Sequence, residues 1–329
     1  MKRLQSILVL LLTICLMSFV LVSCPNTNHP NDGTENYGSE GKSVNTTKTT
    51  FIASQPNNPS SFTKLVWSDE FEGTTIKEAN WTFETGANGW GNNELENYTN
   101  GANASVGNGV LTITAKSDLT STRIKTHEKK SFRYGKIVAR IKMDQGTGSW
   151  PAFWMLGDNI TTAGWPYCGE IDIMEHANND SFIYNTCHWN DLSSDPNSNY
   201  KNANYGGKTN ENLCNIISNL DVTDWHEYSI VWTETKIDFF VDDIKTMAIA
   251  IGKDGLDAFN KNFFILLNFA MGGNFTGIHN KAQFTNLPWN MYVDYIRVYQ
   301  SSKSDASGYI ESDWVDDSLI EDDDIESEE

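Results

Sequence analysis

The stretch Gly169-Glu170-Ile171-Asp172-Ile173-Met174-Glu175-His176 sets three carboxylates in a β-prone, apolar segment. Ile171 and Ile173 are β-branched and alternate with Glu170 and Asp172, so a strand here turns the isoleucines to one face and the acids to the other. That strand has a packed side and an acidic side. Glu175 lies an odd number of residues from Glu170 and breaks the alternation. One extra residue in a β-bulge near Met174 returns it to the acidic face. At about 3.3 Å per residue the Glu170 and Glu175 backbones then stand roughly 13 Å apart, and both side chains must lean inward over Asp172. Three like charges on one strand face repel unless protons are retained, so the arrangement predicts raised carboxyl pKa values.

Such a trio suits chemistry at a glycosidic carbon. A retaining glycosidase needs one carboxylate as nucleophile and a second as general acid and then base, about 5–5.5 Å apart. A solvated strand face and a metal site are the alternatives, and acids interleaved with isoleucine are unusual for either. The segment Glu170-Ile-Asp172-Ile-Met-Glu175 resembles the active-site strand of glycoside hydrolase family sixteen, in the longer form found in laminarinases, agarases and carrageenases. The runs Gly148-Ser149-Trp150-Pro151-Ala152-Phe153-Trp154-Met155-Leu156-Gly157, Gly89-Trp90-Gly91-Asn92-Asn93-Glu94 and Val293-Asp294-Tyr295-Ile296-Arg297-Val298-Tyr299-Gln300 resemble laminarinase-type members in particular. The resemblance implies an all-β jelly-roll sandwich, concanavalin A-like, with a substrate cleft on its concave face. It also implies endo-acting, retaining hydrolysis of β-1,3-glucan, with mixed β-1,3/1,4-glucan as a further substrate. Glu170 would be the nucleophile, Glu175 the acid/base and Asp172 the supporting carboxylate. An agarase or carrageenase of the same family, and a non-catalytic glucan-binding lectin, are the other readings. A self-repelling trio argues against the last, because binding alone has no use for it.

Eleven Trp, twelve Tyr and sixteen Phe form a large stock of rings on which sugars stack. Trp150 and Trp154 are four apart and share a strand face; by resemblance they are sugar platforms, with core packing as the alternative. Trp90, Asn93, Glu94 and Arg123 match family positions along the cleft walls, where amide, carboxylate and guanidinium groups bind hydroxyls. His188 falls where the family often places a histidine near the leaving-group sugar, and a purely structural hydrogen bond is its alternative. His176 points away from the acidic face and reads as structural. The resemblance implies no cofactor for catalysis. It does imply a structural calcium ligated by Glu72 and Asp294 with backbone oxygens, for which plain surface acids are the alternative.

Around this centre the chain reads as one large β domain over residues 62–301. Strand signals run over Gly109–Ala115, Phe132–Met143, Trp150–Leu156, Glu227–Trp232, Lys236–Asp242, Phe263–Phe269 and Met291–Tyr299, with a short turn near Leu256–Phe259. Residues 1–24 read as a bacterial export signal ending Leu21-Val22-Ser23-Cys24, which resembles a lipobox. Cleavage and diacylation at Cys24 would leave a lipid-anchored envelope protein, an ordinary signal or an uncleaved anchor being the alternatives. Residues 25–61, rich in Asn, Thr, Ser, Pro and Gly, read as a disordered tether. Cys168, Cys187 and Cys214 show no metal-ligand spacing and allow at most one disulfide. Residues 302–329 read as a disordered acidic tail; Glu311–Glu329 holds eleven acids and no base, within a formal net charge of −19. Such a charge repels polyanions, which excludes nucleic acid as a partner and favours a neutral polysaccharide. The chain is expected to be a monomer that meets the membrane only through its lipid.

Overall fold

A computed structural model describes residues 62–190, 201–205, 220–242, 244–251 and 257–301. The export signal with Cys24, the tether, Cys214, Leu256 and the acidic tail lie outside them. Runs of β-branched and aromatic residues in period two, with no long stretch in period 3.6, leave this chain little but sheets to form. Two large antiparallel sheets result, beside a short parallel pair of Asn97–Tyr98 with Thr120–Ser121. The first, of eight strands, runs in the order Ile244–Ala250, Lys236–Val241, His226–Trp232, Gly135–Met143, Trp289–Ser301, Val110–Ala115 and Ala104–Gly107, with Phe62–Asp69 also paired to Trp289–Ser301. The second, of seven strands, runs Lys201–Tyr205, Tyr184–Trp189, Glu170–Glu175, Ser149–Gly157, Phe263–Met271, Arg123–Lys125 and Thr82–Glu84. Neighbours in the sheets are mostly distant in sequence, as in a jelly-roll β-sandwich.

All seven expected strands are present to within three residues at either end, and the expected short turn is the 3-10 turn Asp257–Asn260. The helical turn Ile160–Ala163 was not anticipated. The core lies between the sheets. Ile171, Phe153, Met155, Ile265 and Leu267 of one sheet meet Ile137, Ile141, Ile230, Phe239 and Val298 of the other, all fully buried. Each such side chain contributes about 1.5–3 kcal/mol by leaving water.

Register then fixes what the outer face of the seven-stranded sheet displays. Glu170 stands opposite His188 and Leu156, and Asp172 opposite Thr186 and Trp154. Met174 pairs with Phe153, so Ile173 is the extra residue of a β-bulge, and Glu175 returns to register opposite Ala152 and Tyr184. Ile173 and Met174 are both fully buried, two consecutive side chains turned to the core. That double inward step is what carries Glu175 back beside Glu170 and Asp172.

Candidate active site

The three carboxylates share one face and differ in their surroundings. Glu170 accepts a hydrogen bond from the Trp165 indole at 2.9 Å and lies 3.6 Å from His188 Nε2. Asp172 is buried, with Oδ2 3.3 Å from the same imidazole nitrogen. Glu175 accepts from the Trp150 indole at 2.9 Å. Neither Lys nor Arg forms a described ion pair with any of the three. Burial and mutual repulsion therefore act almost unopposed. Burial, and then the charges of Asp172 and Glu175, push the Glu170 carboxyl well above the ordinary range, against the pull of His188 and the Trp165 hydrogen bond. Burial and the Glu175 charge do the same to Asp172, and burial raises Glu175 despite its bond to Trp150. The three carboxyls therefore titrate as a coupled cluster, each biased towards its protonated form.

The remaining candidates fall into two groups. Trp150 and Trp154 do share the acidic face, but each is engaged. Trp150 is nearly buried, holds Glu175 and packs its ring 4.8 Å from Phe275. Trp154 donates to Asn268 Oδ1 at 2.7 Å. The Arg123 guanidinium lies 4.8 Å over both the Trp154 and Trp90 rings and is held by Glu84 at 2.5 Å, so it clamps two indoles together. Asn93 donates to Asn274 Oδ1 and ties the 89–95 loop to the 272–278 loop. Glu94 sits beside Tyr98, which donates to it at 3.4 Å. His188 joins the carboxylates, whereas His176 is fully buried on the far side, bonded to the Asp180 carbonyl and depressed by burial towards its neutral form.

Of the two residues that the resemblance assigns to calcium, Glu72 is exposed and Asp294 is buried with Oδ2 2.8 Å from Arg140 Nη1. Asp294 thus has a guanidinium partner on one carboxyl oxygen. Among the described residues three potential metal-ligating side chains do come together, Glu170, Asp172 and His188, on the acidic face itself. Cys168 and Cys187 are buried free thiols, and burial pushes Cys168 up to about 11, which leaves it inert at neutral pH.

Sequence reasoning missed Trp165, Glu84, Lys125, Phe275, Asn268 and the buried Glu96. Lys125 joins Arg123 on Glu84 at 2.8 Å, and the alternating Arg123-Ile124-Lys125 pattern was a usable signal for that pairing. Trp165 and Phe275 come from loops that meet the face only in three dimensions.

The profile of the family described as Glycosyl hydrolases family 16 matches residues 91–261, more than half of the chain. Over 254 residues the chain is 38% identical to the Clotting factor G alpha subunit of Tachypleus tridentatus, covering 74% of this chain and 35% of that one. It is 34% identical to a Beta-glucanase of Rhodothermus marinus, covering 72% of this chain and 85% of that one. The chain thus spans about a third of the Tachypleus subunit and most of the Rhodothermus protein. The crystal structure of a laminarinase from Flavobacterium sp. UMI-01 superimposes with a TM-score of 0.60 at 38% identity, covering 72% of this chain and all of that one. A bulged strand with three clustered carboxylates, set in a jelly-roll sandwich and matched by profile, sequence and structure alike, establishes that this chain belongs to glycosyl hydrolase family 16.

Proposed function

We propose that the chain is an endo-acting, retaining hydrolase of β-1,3-glucan that also accepts mixed β-1,3/1,4-glucan. The observation that carries this reading is the bulge at Ile173, which gathers Glu170, Asp172 and Glu175 on one face where, among the described residues, no Lys or Arg pairs with them. In this reading Glu170 attacks the anomeric carbon, while Glu175, held by Trp150, protonates the departing glycosidic oxygen. Glu175 then takes a proton from water, which releases the sugar with its configuration retained. Asp172 and His188 lie against Glu170 and set its orientation and charge. The similarity to a beta-glucanase and a laminarinase supports a glucan substrate, and the chain's acidity disfavours a sulfated polymer. The test is a panel of laminarin, lichenan, agarose and carrageenan with the first-formed anomer read by NMR. Fastest turnover on laminarin with β-configured product is expected, and inverted product or preference for agarose or carrageenan would overturn the reading.

We also infer that the protein reaches the cell envelope as a lipoprotein, since Cys24 closes a lipobox-like run after Lys2, Arg3 and an apolar core. Membrane fractions should lose the protein, or retain an unprocessed precursor, in Cys24→Ala. Unchanged membrane association of a processed form would point to another anchor.

A further inference from the structure

A second pair of acids lies on the wall of the same face, outside the catalytic trio. Glu96 is fully buried. Its Oε2 accepts the Met271 backbone N–H at 2.7 Å, and its Oε1 has no hydrogen-bond partner. The Glu94 carboxyl is within hydrogen-bonding reach of it. Two ionised carboxylates are both acceptors and cannot bond to one another. A proton between them satisfies the orphaned oxygen and removes the repulsion in one stroke, as in other carboxyl pairs. The groups facing the pair are Arg123, from the Arg123–Lys125 strand and itself held by Glu84, and the hydroxyl of Tyr98. The side-chain amide of Asn92 and the N–H of Met271 complete the surroundings.

The pair also connects to the reaction centre. Tyr98 donates to Glu94 and accepts from Asn268 Nδ2 at 3.1 Å, while Asn268 Oδ1 holds the Trp154 indole, and Trp154 stands directly opposite Asp172. Glu94 is partly exposed beside Arg123 and Tyr98, whereas Glu96 is fully buried.

We propose that Glu94 and Glu96 share one proton, and that Glu96 is a positioning residue which presents Glu94 to the glucan as a neutral acid able both to donate to and to accept from sugar hydroxyls. This rests on the glucan-hydrolase reading for its substrate but not for the shared proton. A neutral acid suits an uncharged polymer, because it binds hydroxyls without adding a charge beside the catalytic trio. Burial and the Glu96 charge hold Glu94 up at about 9, in line with a proton kept through neutral pH.

Two measurements on the full chain test it. The first uses carbon-13-labelled glutamate and follows carboxyl shifts against pH without substrate. In the wild type one of the two groups should stay protonated past neutrality, and in Glu96→Gln, whose amide donates to Glu94, Glu94 should titrate at lower pH than in the wild type, with burial still holding it above the ordinary carboxylate range. Ordinary titration of both acids in the wild type, or an unmoved Glu94 in Glu96→Gln, overturns the shared proton. The second reads laminarin kinetics between pH 5 and 8. Glu96→Gln should raise KM about tenfold with kcat within about twofold, the scale of one hydrogen bond to a sugar hydroxyl. Adding Glu94→Gln should restore a neutral donor and acceptor, lower KM again and remove its pH dependence. A merely structural Glu96 would lower Tm and leave the Glu94 titration and the KM profile where they were. Absence of laminarin hydrolysis by the wild type would sink the functional reading while the titration still decides the pair.

Discussion

Each sheet carries a β-bulge beside an acid, and the two bulges lead to opposite electrostatics. In the eight-stranded sheet one of several register shifts falls between Val293 and Tyr295 and sets Asp294 against Arg140 at 2.8 Å. Around it the same sheet pairs Glu70 with Arg297 through two hydrogen bonds, at 2.8 and 2.9 Å, and Asp238 with Lys236 and Lys245. Every acid named there has a cation. In the seven-stranded sheet the bulge at Ile173 sets Glu175 with two more acids, and their partners are indole N–H groups and one imidazole. Matched charges of the first kind contribute to stability. Unmatched ones are pushed towards the protonated form, which favours proton transfer. The same backbone device therefore serves a structural face in one sheet and a reactive face in the other, and the difference lies in what stands opposite.

The comparison breaks most visibly at Glu170. Glu170→Gln keeps volume and removes the nucleophile, so kcat on laminarin should fall more than about a thousandfold while the thermal unfolding midpoint changes little. Near-native turnover would mean that the trio is not reactive. Asp172→Asn should cost less, about ten- to a hundredfold in kcat. It should also move the acidic limb of the pH–rate profile to lower pH, because the Asp172 charge is one of the causes that raise Glu170. The sign follows directly: with that charge gone Glu170 ionises more readily, and the active form persists further into acid.

The matched face should answer in stability instead. Arg297→Met leaves Glu70 without its guanidinium and removes the cation held 3.8 Å over the Tyr295 ring. Urea unfolding should show a loss of about 1–3 kcal/mol. The pH–rate profile should not move, and a shift there would mean that the two faces are electrostatically coupled.

How much of this could be read beforehand follows from the same contrast. The acidic strand was legible because β-branched residues alternate with acids, and the parity break at Glu175 located the bulge within one residue of Ile173. The core strands were legible for the same reason. Tyr184–Trp189 was not, because Tyr-Asn-Thr-Cys-His-Trp mixes polar and apolar residues without a clean period, although it supplies His188. Trp150 and Trp154 share a face as expected, where the resemblance makes them sugar platforms and core packing is the alternative. Their engagement by Glu175, Asn268 and Arg123 depends on residues 25 to 114 positions away or across the sheet, which local pattern does not register. Glu96 carries no local signal at all, since its meaning lies in a backbone N–H at position 271.

Trp165 offers the smallest test and the sharpest one. It stands in the turn before the acidic strand, half exposed, and its indole donates to Glu170 Oε2 at 2.9 Å. A hydrogen bond to the ionised carboxylate favours the charged form, so this bond works against the burial and repulsion that raise Glu170. Trp165→Phe keeps the ring and deletes the donor. Glu170 then becomes harder to ionise, and the acidic limb should move to higher pH, by less than about one unit because water can replace a half-exposed donor. Asp172→Asn moves that limb the other way. Two substitutions on one carboxylate's surroundings with opposite displacements would show that the limb reports Glu170 and not a general loosening of the site. If both moved it in the same direction, the limb would belong to another group and the assignment of Glu170 as the residue that must ionise would fail.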